Sequence, residues 1–299
     1  MEEQLWEACK DGNVEKAMKL LQNEQTNTNE YGGDATPLYI ACKEGHIEVV
    51  KLLLNDNRVD INKAEVKGKT PLYIACDFGH IEIVKLLLND KRVDINKAIK
   101  KSVQTPFDVA CYKGHTEIVE LLLNDKRVDI NKPMGDGSTP SWIVCWKGYI
   151  EIMKLLLSDE RIDFNKVNNA GETPFYIACT YKQTEIVKLL LNDLRVDVNK
   201  ADKYGRTPFY IACDYGEIEI VKSFLACGRL IDTNKQNRYG RTPFNVAKER
   251  GKTEIVELLE SFERNQNETR TKLRIELGLA GKFNLFNFLF FFKNILVIF

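Results

Sequence analysis

The chain has 299 residues, of which 44% are hydrophobic, 10% aromatic and 29% charged; it is too apolar for a disordered polymer and lacks the glycine and proline excess of a fibrous one. Lysine plus arginine and aspartate plus glutamate each total 43, so no basic surplus exists to drive phosphate-backbone binding by counterion release. The opening residues Met1-Glu2-Glu3-Gln4-Leu5-Trp6 hold no cationic segment leading into an apolar run, which points to a cytoplasmic location and to cysteines kept as thiols.

In chain order, LWEACKDGNVEKAMKLL from Leu5 to Leu21 lines up with LYIACKEGHIEVVKLLL from Leu38 to Leu54. The second copy is preceded by Thr-Pro. That dipeptide begins at Thr36, Thr70, Thr105, Thr139, Thr173, Thr207 and Thr242, with spacings of 34, 35, 34, 34, 34 and 35 residues. Seven copies carry it and the N-terminal copy lacks it, so the pattern predicts eight repeats. Within a copy, Thr36 is placed to cap a helix and Pro37 to occupy its first turn, where a missing N–H costs nothing. PLYIACKE is the first short helix, Gly45 supplies the left-handed residue that ends it, and IEVVKLLL is the second, with Ile47, Val50, Leu53 and Leu54 on one side. Helices of about two turns do not persist alone in water, so each pair must be held by its neighbours in a stack. An extended return through Arg58-Val59-Asp60-Ile61-Asn62 leads to a turn at Lys67-Gly68-Lys69, and the next copy begins.

Extended turn, Thr-Pro-Leu, helix, Gly-His, helix, triple Leu and Asp-Ile-Asn return together resemble the ankyrin repeat family over residues 1–264. The resemblance implies an all-α fold: a solenoid of helix-turn-helix pairs with extended β-turn fingers. The family's usual His after Thr-Pro-Leu is here Tyr39, Tyr73, Asp108, Trp142, Tyr176, Tyr210 and Asn245.

Equivalent positions in a stack meet equivalent surroundings, so the recurrent residues read first as scaffold. Cys9, Cys42, Cys76, Cys111, Cys145, Cys179 and Cys213 share one helix position as small buried apolar groups. Neighbouring copies lie about one helix diameter apart, roughly 10 Å, beyond the usual disulfide Cα separation of about 4.4–6.8 Å. His46, His80 and His115 each follow a turn glycine with no Cys-x-x-Cys nearby, and read as turn packing rather than metal ligands. Glu48, Glu82, Glu151, Glu185 and Glu219 precede Lys51, Lys85, Lys154, Lys188 and Lys222 by three residues, a helix-surface ion-pair spacing. The ladder Arg58/Asp60, Arg92/Asp94, Arg127/Asp129, Arg161/Asp163 and Arg195/Asp197 reads as cross-repeat ion pairing, because an active site needs one unsymmetrical constellation. Val103 replaces a turn glycine and Lys182 a helix-ending one, which makes both candidates for a loosened joint or for a locally different turn.

Function belongs where the repeats differ. The resemblance implies a concave surface of turn tips and first helices. On it, Phe78, Tyr112, Trp146, Tyr181 and Tyr215 would form an aromatic stripe interrupted by Lys113 and Lys147, with Tyr204, Arg206, Tyr239 and Arg241 at the rim. Aromatics with interspersed cations are the composition of a protein-interface hot spot, here suited to an acidic partner. The same mixture could stack the bases of a single-stranded nucleic acid, against which the zero net charge weighs. No phosphate-binding glycine loop, nucleophile elbow, HExxH or kinase signature appears, so no catalytic residues, small-molecule substrate, cofactor or metal are expected and the reading is a non-catalytic scaffold or adaptor for a protein partner. The last copy carries Lys248, Glu249, Arg250, Glu257, Glu260 and Glu263, the polar outer face of a terminal repeat. Residues 265–282 read as a polar linker, and 283–299 holds seven phenylalanines. That segment could anchor the chain to a membrane with the repeats facing the cytosol, pack on the array, or stay disordered.

Overall fold

A computed structural model describes residues 2–30 and 33–279. The described residues form seventeen helices and no strand. They divide into two compact units, Met1–Val144 with Ser158–Ile162, and Cys145–Leu157 with Asp163–Phe299.

In the first unit, α1 (Glu2–Lys10), α3 (Pro37–Glu44), α5 (Pro71–Phe78) and α7 (Pro106–Lys113) pack side by side. A second row is formed by α2 (Val14–Leu21), α4 (Ile47–Asn55), α6 (Ile81–Asn89) and α8 (Thr116–Asn124). The two rows differ in burial for a reason visible in composition. The inner first helices α3 and α5 have neighbours on both flanks and their own partner helix behind them, so Pro71 through Cys76 are all buried. A second helix is covered on one side only and buries a stripe such as Val49, Val50 and Leu53.

Local capping sets the helix ends. Thr36 Oγ1 accepts the Tyr39 N–H at 3.2 Å, and Gly45 closes the helix at φ 82°. A side chain there would suffer twice, since a Cβ on Gly45 would also lie 2.8 Å from the His80 ring. Each such ring hydrogen-bonds a carbonyl of the preceding repeat, His46 Nε2 that of Lys10 at 2.8 Å and His80 Nε2 that of Lys43 at 2.9 Å. The histidines therefore pack and cross-link turns, as their spacing predicts.

The arginine ladder differs from the ion pairing read from sequence. Arg92 is forked not by Asp94 but by Asp90, with Nε to Oδ1 at 3.0 Å and Nη2 to Oδ2 at 2.6 Å. Its cross-repeat bond runs to a backbone acceptor, the Leu54 carbonyl at 2.8 Å. Helix ends leave carbonyls without intrahelical partners, and the guanidinium of the next repeat satisfies one. Asp94 instead accepts the N–H of Asn96 at 3.2 Å, and the Asn62 side chain bridges to the next repeat, donating to the Arg92 carbonyl at 2.7 Å and accepting the Asp94 N–H at 2.7 Å. The Asp-Ile-Asn recurrence is thus a backbone-stitching motif. Val103 and Lys182 both adopt left-handed backbone, at φ 58° and 60°, as the glycines of the other copies do, so neither turn is locally different and each carries the strain of a side chain in that region.

α9 (Pro140–Lys147) contains the boundary between the units, and α10 runs over Ile150–Ser158. In the second unit, α11 (Pro174–Thr180), α13 (Pro208–Tyr215) and α15 (Pro243–Glu249) form one row; α12 (Thr184–Asn192), α14 (Ile218–Ala226) and α16 (Thr253–Arg264) form the other. Residues expected as linker are partly helical: α17 (Gln266–Glu276) lies on α14 and α16. Asn265 caps it, accepting the Glu268 N–H at 3.2 Å. Thr269 and Leu273 are buried, while Arg270 and Arg274 donate to the Leu225 and Ala226 carbonyls, each at 3.1 Å. Sequence periodicity missed α17 because few apolar residues carry it; its arginines replace them by capping the end of α14. Among the described residues no helix is long and apolar enough to cross a membrane. The phenylalanine-rich segment 283–299, and with it the anchor reading, lies outside the described residues.

Candidate partner-binding face

The residue after Thr-Pro-Leu decides how each first helix begins. A tyrosine reaches from the helix to the finger of the next repeat: Tyr73 donates to Gln104 Oε1 at 2.6 Å, and Tyr176 to Asp202 Oδ2 at 3.0 Å. Burial first, and then Asp202, pushes the Tyr176 phenol above its usual range. Asp108 and Asn245, too short for that reach, turn back and complete capping boxes with Thr105 and Thr242. Asp202, buried and unnoticed in the sequence, also anchors Arg206 at 2.6 Å.

Helix ends and finger tips carry the expected site residues. In the first unit, Phe78 ends α5, is half exposed, and stacks on His80 with centroids 6.1 Å apart. Tyr112 and Lys113 end α7; Tyr112 is partly exposed, and Lys113 pairs with Asp77 at 3.1 Å. Asp77 also holds Lys69 at 3.3 Å, making it a charge hub on this face.

In the second unit, Trp146, Lys147 and Tyr181 come together. The indole and phenol rings meet edge to face at 6.3 Å, and Lys147 Nζ sits 4.3 Å from the indole centroid. Tyr181, following α11, is 49% exposed. Arg206 lies 5.2 Å from the Tyr204 ring centroid in the same finger. Tyr215 at the end of α13 is 43% exposed, and Tyr239 on the following finger 73%. Arg241 pairs with Glu249 at 3.2 Å.

Acidic neutralisation is the feature that reading the stripe residue by residue overlooks. Asp77 and Asp214 each stand seven residues after a Thr of Thr-Pro and pair with the base eight residues after the next, Lys113 at 3.1 Å and Arg250 at 3.0 Å. The offset was present in the sequence, but only stacking brings residues 36 apart into contact. The rim is therefore largely neutralised from within, while Phe78, Tyr181, Tyr204, Tyr215 and Tyr239 stay exposed and Trp146 is half-buried.

The family model described as Ankyrin repeats (3 copies) matches residues 5–99, 94–168, 142–237 and 194–272. The chain belongs to the ankyrin repeat family. Ankyrin repeats are protein-interaction modules, and this chain carries eight of their helix pairs among the described residues, closed by α17. No curated protein matches it.

Proposed function

We propose that this ankyrin chain is a non-catalytic adaptor that seats a protein partner on the helix ends and finger tips of its second unit, with Trp146 and Tyr181 as anchors. The observation that carries this reading is the edge-to-face pair at 6.3 Å with Lys147 over the indole, beside buried Cys145 and Cys179. Two mutually oriented rings lose little freedom on binding and offer large apolar area with polar edges, the character of interface hot spots. Tyr204, Tyr215 and Tyr239 extend the aromatic surface. Because Arg206 and Arg241 are already ion-paired, recognition rests on the rings first and on charge second, so partner acidity is a subordinate feature.

The test compares two classes of variant. Trp146→Ala with Tyr181→Ala should weaken capture of the native partner by about 2 kcal/mol, roughly thirtyfold, without lowering the unfolding midpoint by as much as Leu156→Ala does. Leu156 is fully buried, and its truncation should cost about 2–5 kcal/mol of stability. If the aromatic pair behaves like Leu156 in unfolding and leaves capture unchanged, the rings are packing and the proposal fails.

A further inference from the structure

The turn after the second helix repeats one device five times: an aspartate forks the guanidinium two residues later, as Asp56 does Arg58, Asp90 Arg92, Asp125 Arg127, Asp159 Arg161 and Asp193 Arg195, each at 2.6 Å. The next copy breaks it. Arg229 holds the same place, but the residue two before it is Cys227. Of its five N–H groups, Arg229 gives two to backbone carbonyls, those of Asp193 at 3.0 Å and Val196 at 2.6 Å. Burial holds its pKa below the usual arginine value, against the opposing influence of Cys227, Asp197 and Asp193, and Asp193 is already forked by Arg195.

A second guanidinium faces the same space. Arg270 of α17 donates Nε to the Leu225 carbonyl at 3.1 Å and lies 5.7 Å from the Phe262 ring centroid. Between the end of α14, the 229–233 turn, α16 and the start of α17 is a cavity of about 90 Å³ lined by Arg229, Arg270, Thr233 and Gln266, with Phe224 and Phe262 among its apolar walls. No carboxylate lines it. Two cations sharing a partly enclosed space with no anion between them repel each other, and the repulsion grows as water is excluded. An anion in the cavity removes that repulsion and supplies the acceptors that aspartate supplies in the five earlier turns.

We propose that this cavity binds a small tetrahedral oxyanion of the phosphate class, either free or as the phosphoryl group of a larger ligand. Two guanidinium groups, a hydroxyl and a carboxamide offer more donors than the two oxygens of a planar carboxylate can use, and charge-assisted bonds to guanidinium are the strong ones in such sites. The volume has room for a few waters, comparable to one such anion.

Full-length protein titrated with sodium phosphate, at ionic strength held constant with sodium chloride, should show saturable heat and a saturable rise in unfolding temperature that chloride does not produce. Gln266→Glu places a carboxylate in the cavity at the first residue of α17, where an acid also suits the helix N-terminus. It should fold at least as well as the parent and bind phosphate at least tenfold more weakly. Arg270→Gln should weaken binding to a similar degree. O-phosphoserine titrated in parallel identifies the source: binding with similar affinity indicates a phosphorylated partner, and binding of inorganic phosphate alone indicates the free anion. A parent protein that responds to phosphate no more than to chloride, or a folded Gln266→Glu variant that binds within twofold of the parent, overturns the site.

Discussion

Replacing Asp108 by Asn isolates one buried charge. Asp108 sits in α7, fully buried; its Oδ2 accepts the Thr105 N–H and hydroxyl, each at 2.7 Å, and its Oδ1 has no partner. Burial pushes its carboxyl up to about 7, with the Thr105 bonds pulling it down, Lys132 assisting them and Asp129 opposing. The folded chain holds this proton more tightly than the unfolded chain does. The contribution to stability is therefore complete below about pH 4 and is lost as pH rises through about 7. The interval from the ordinary 3.8 to about 7 is worth roughly 4 kcal/mol at most, so a loss of about 2–4 kcal/mol is expected. Asparagine retains the accepting oxygen, as Asn245 does toward the Thr242 N–H and hydroxyl at 3.0 and 2.8 Å. It has no charge to bury, but its amide group would lack a partner at a cost of about 1–3 kcal/mol. Urea unfolding of parent and Asp108→Asn at pH 4.5, 6 and 8 should show the variant the less stable at pH 4.5, and the difference closing or reversing by about 2–4 kcal/mol at pH 8. Stability differences that stay constant across the three pH values would refute the reasoning.

The remaining predictions concern the thiols and the strained turns. All eight cysteines are free and buried, with burial pushing Cys9 up to about 12 and the other repeat thiols further in the same direction; thiol titration should find them slow in the folded protein and all eight reactive in denaturant without reductant, a shortfall indicating disulfides. Val103→Gly should raise stability by about 0.5–1 kcal/mol, because relief of left-handed strain at a β-branched residue exceeds the added entropy of the unfolded chain; an unfolding midpoint that falls would show that the φ of 58° carries no such strain.

Thr-Pro and glycine made the helix pairs readable from the chain alone, because capping acts within three or four residues and each copy repeats the same local choice. Cysteine and leucine columns were readable for a related reason: identical positions in a stack meet identical neighbours, so recurrence itself reports burial. The ring residues of the candidate face could be named, since they stand at fixed offsets from each Thr. Other features came only from packing. Arg92 selects Asp90 and the Leu54 carbonyl over Asp94, a choice made by where the preceding helix ends in space. Lys113 and Arg241 are neutralised by Asp77 and Glu249, which turns an apparently basic rim into an aromatic one. α17 lacks an apolar stripe strong enough to show as periodicity, and exists as packed structure because its arginines meet carbonyls on α14, 45 and 48 residues earlier. Local sequence determined the repeating unit, since backbone geometry and burial are short-range and periodic; the pairing of charges across the stack depends on distances that only the folded chain sets.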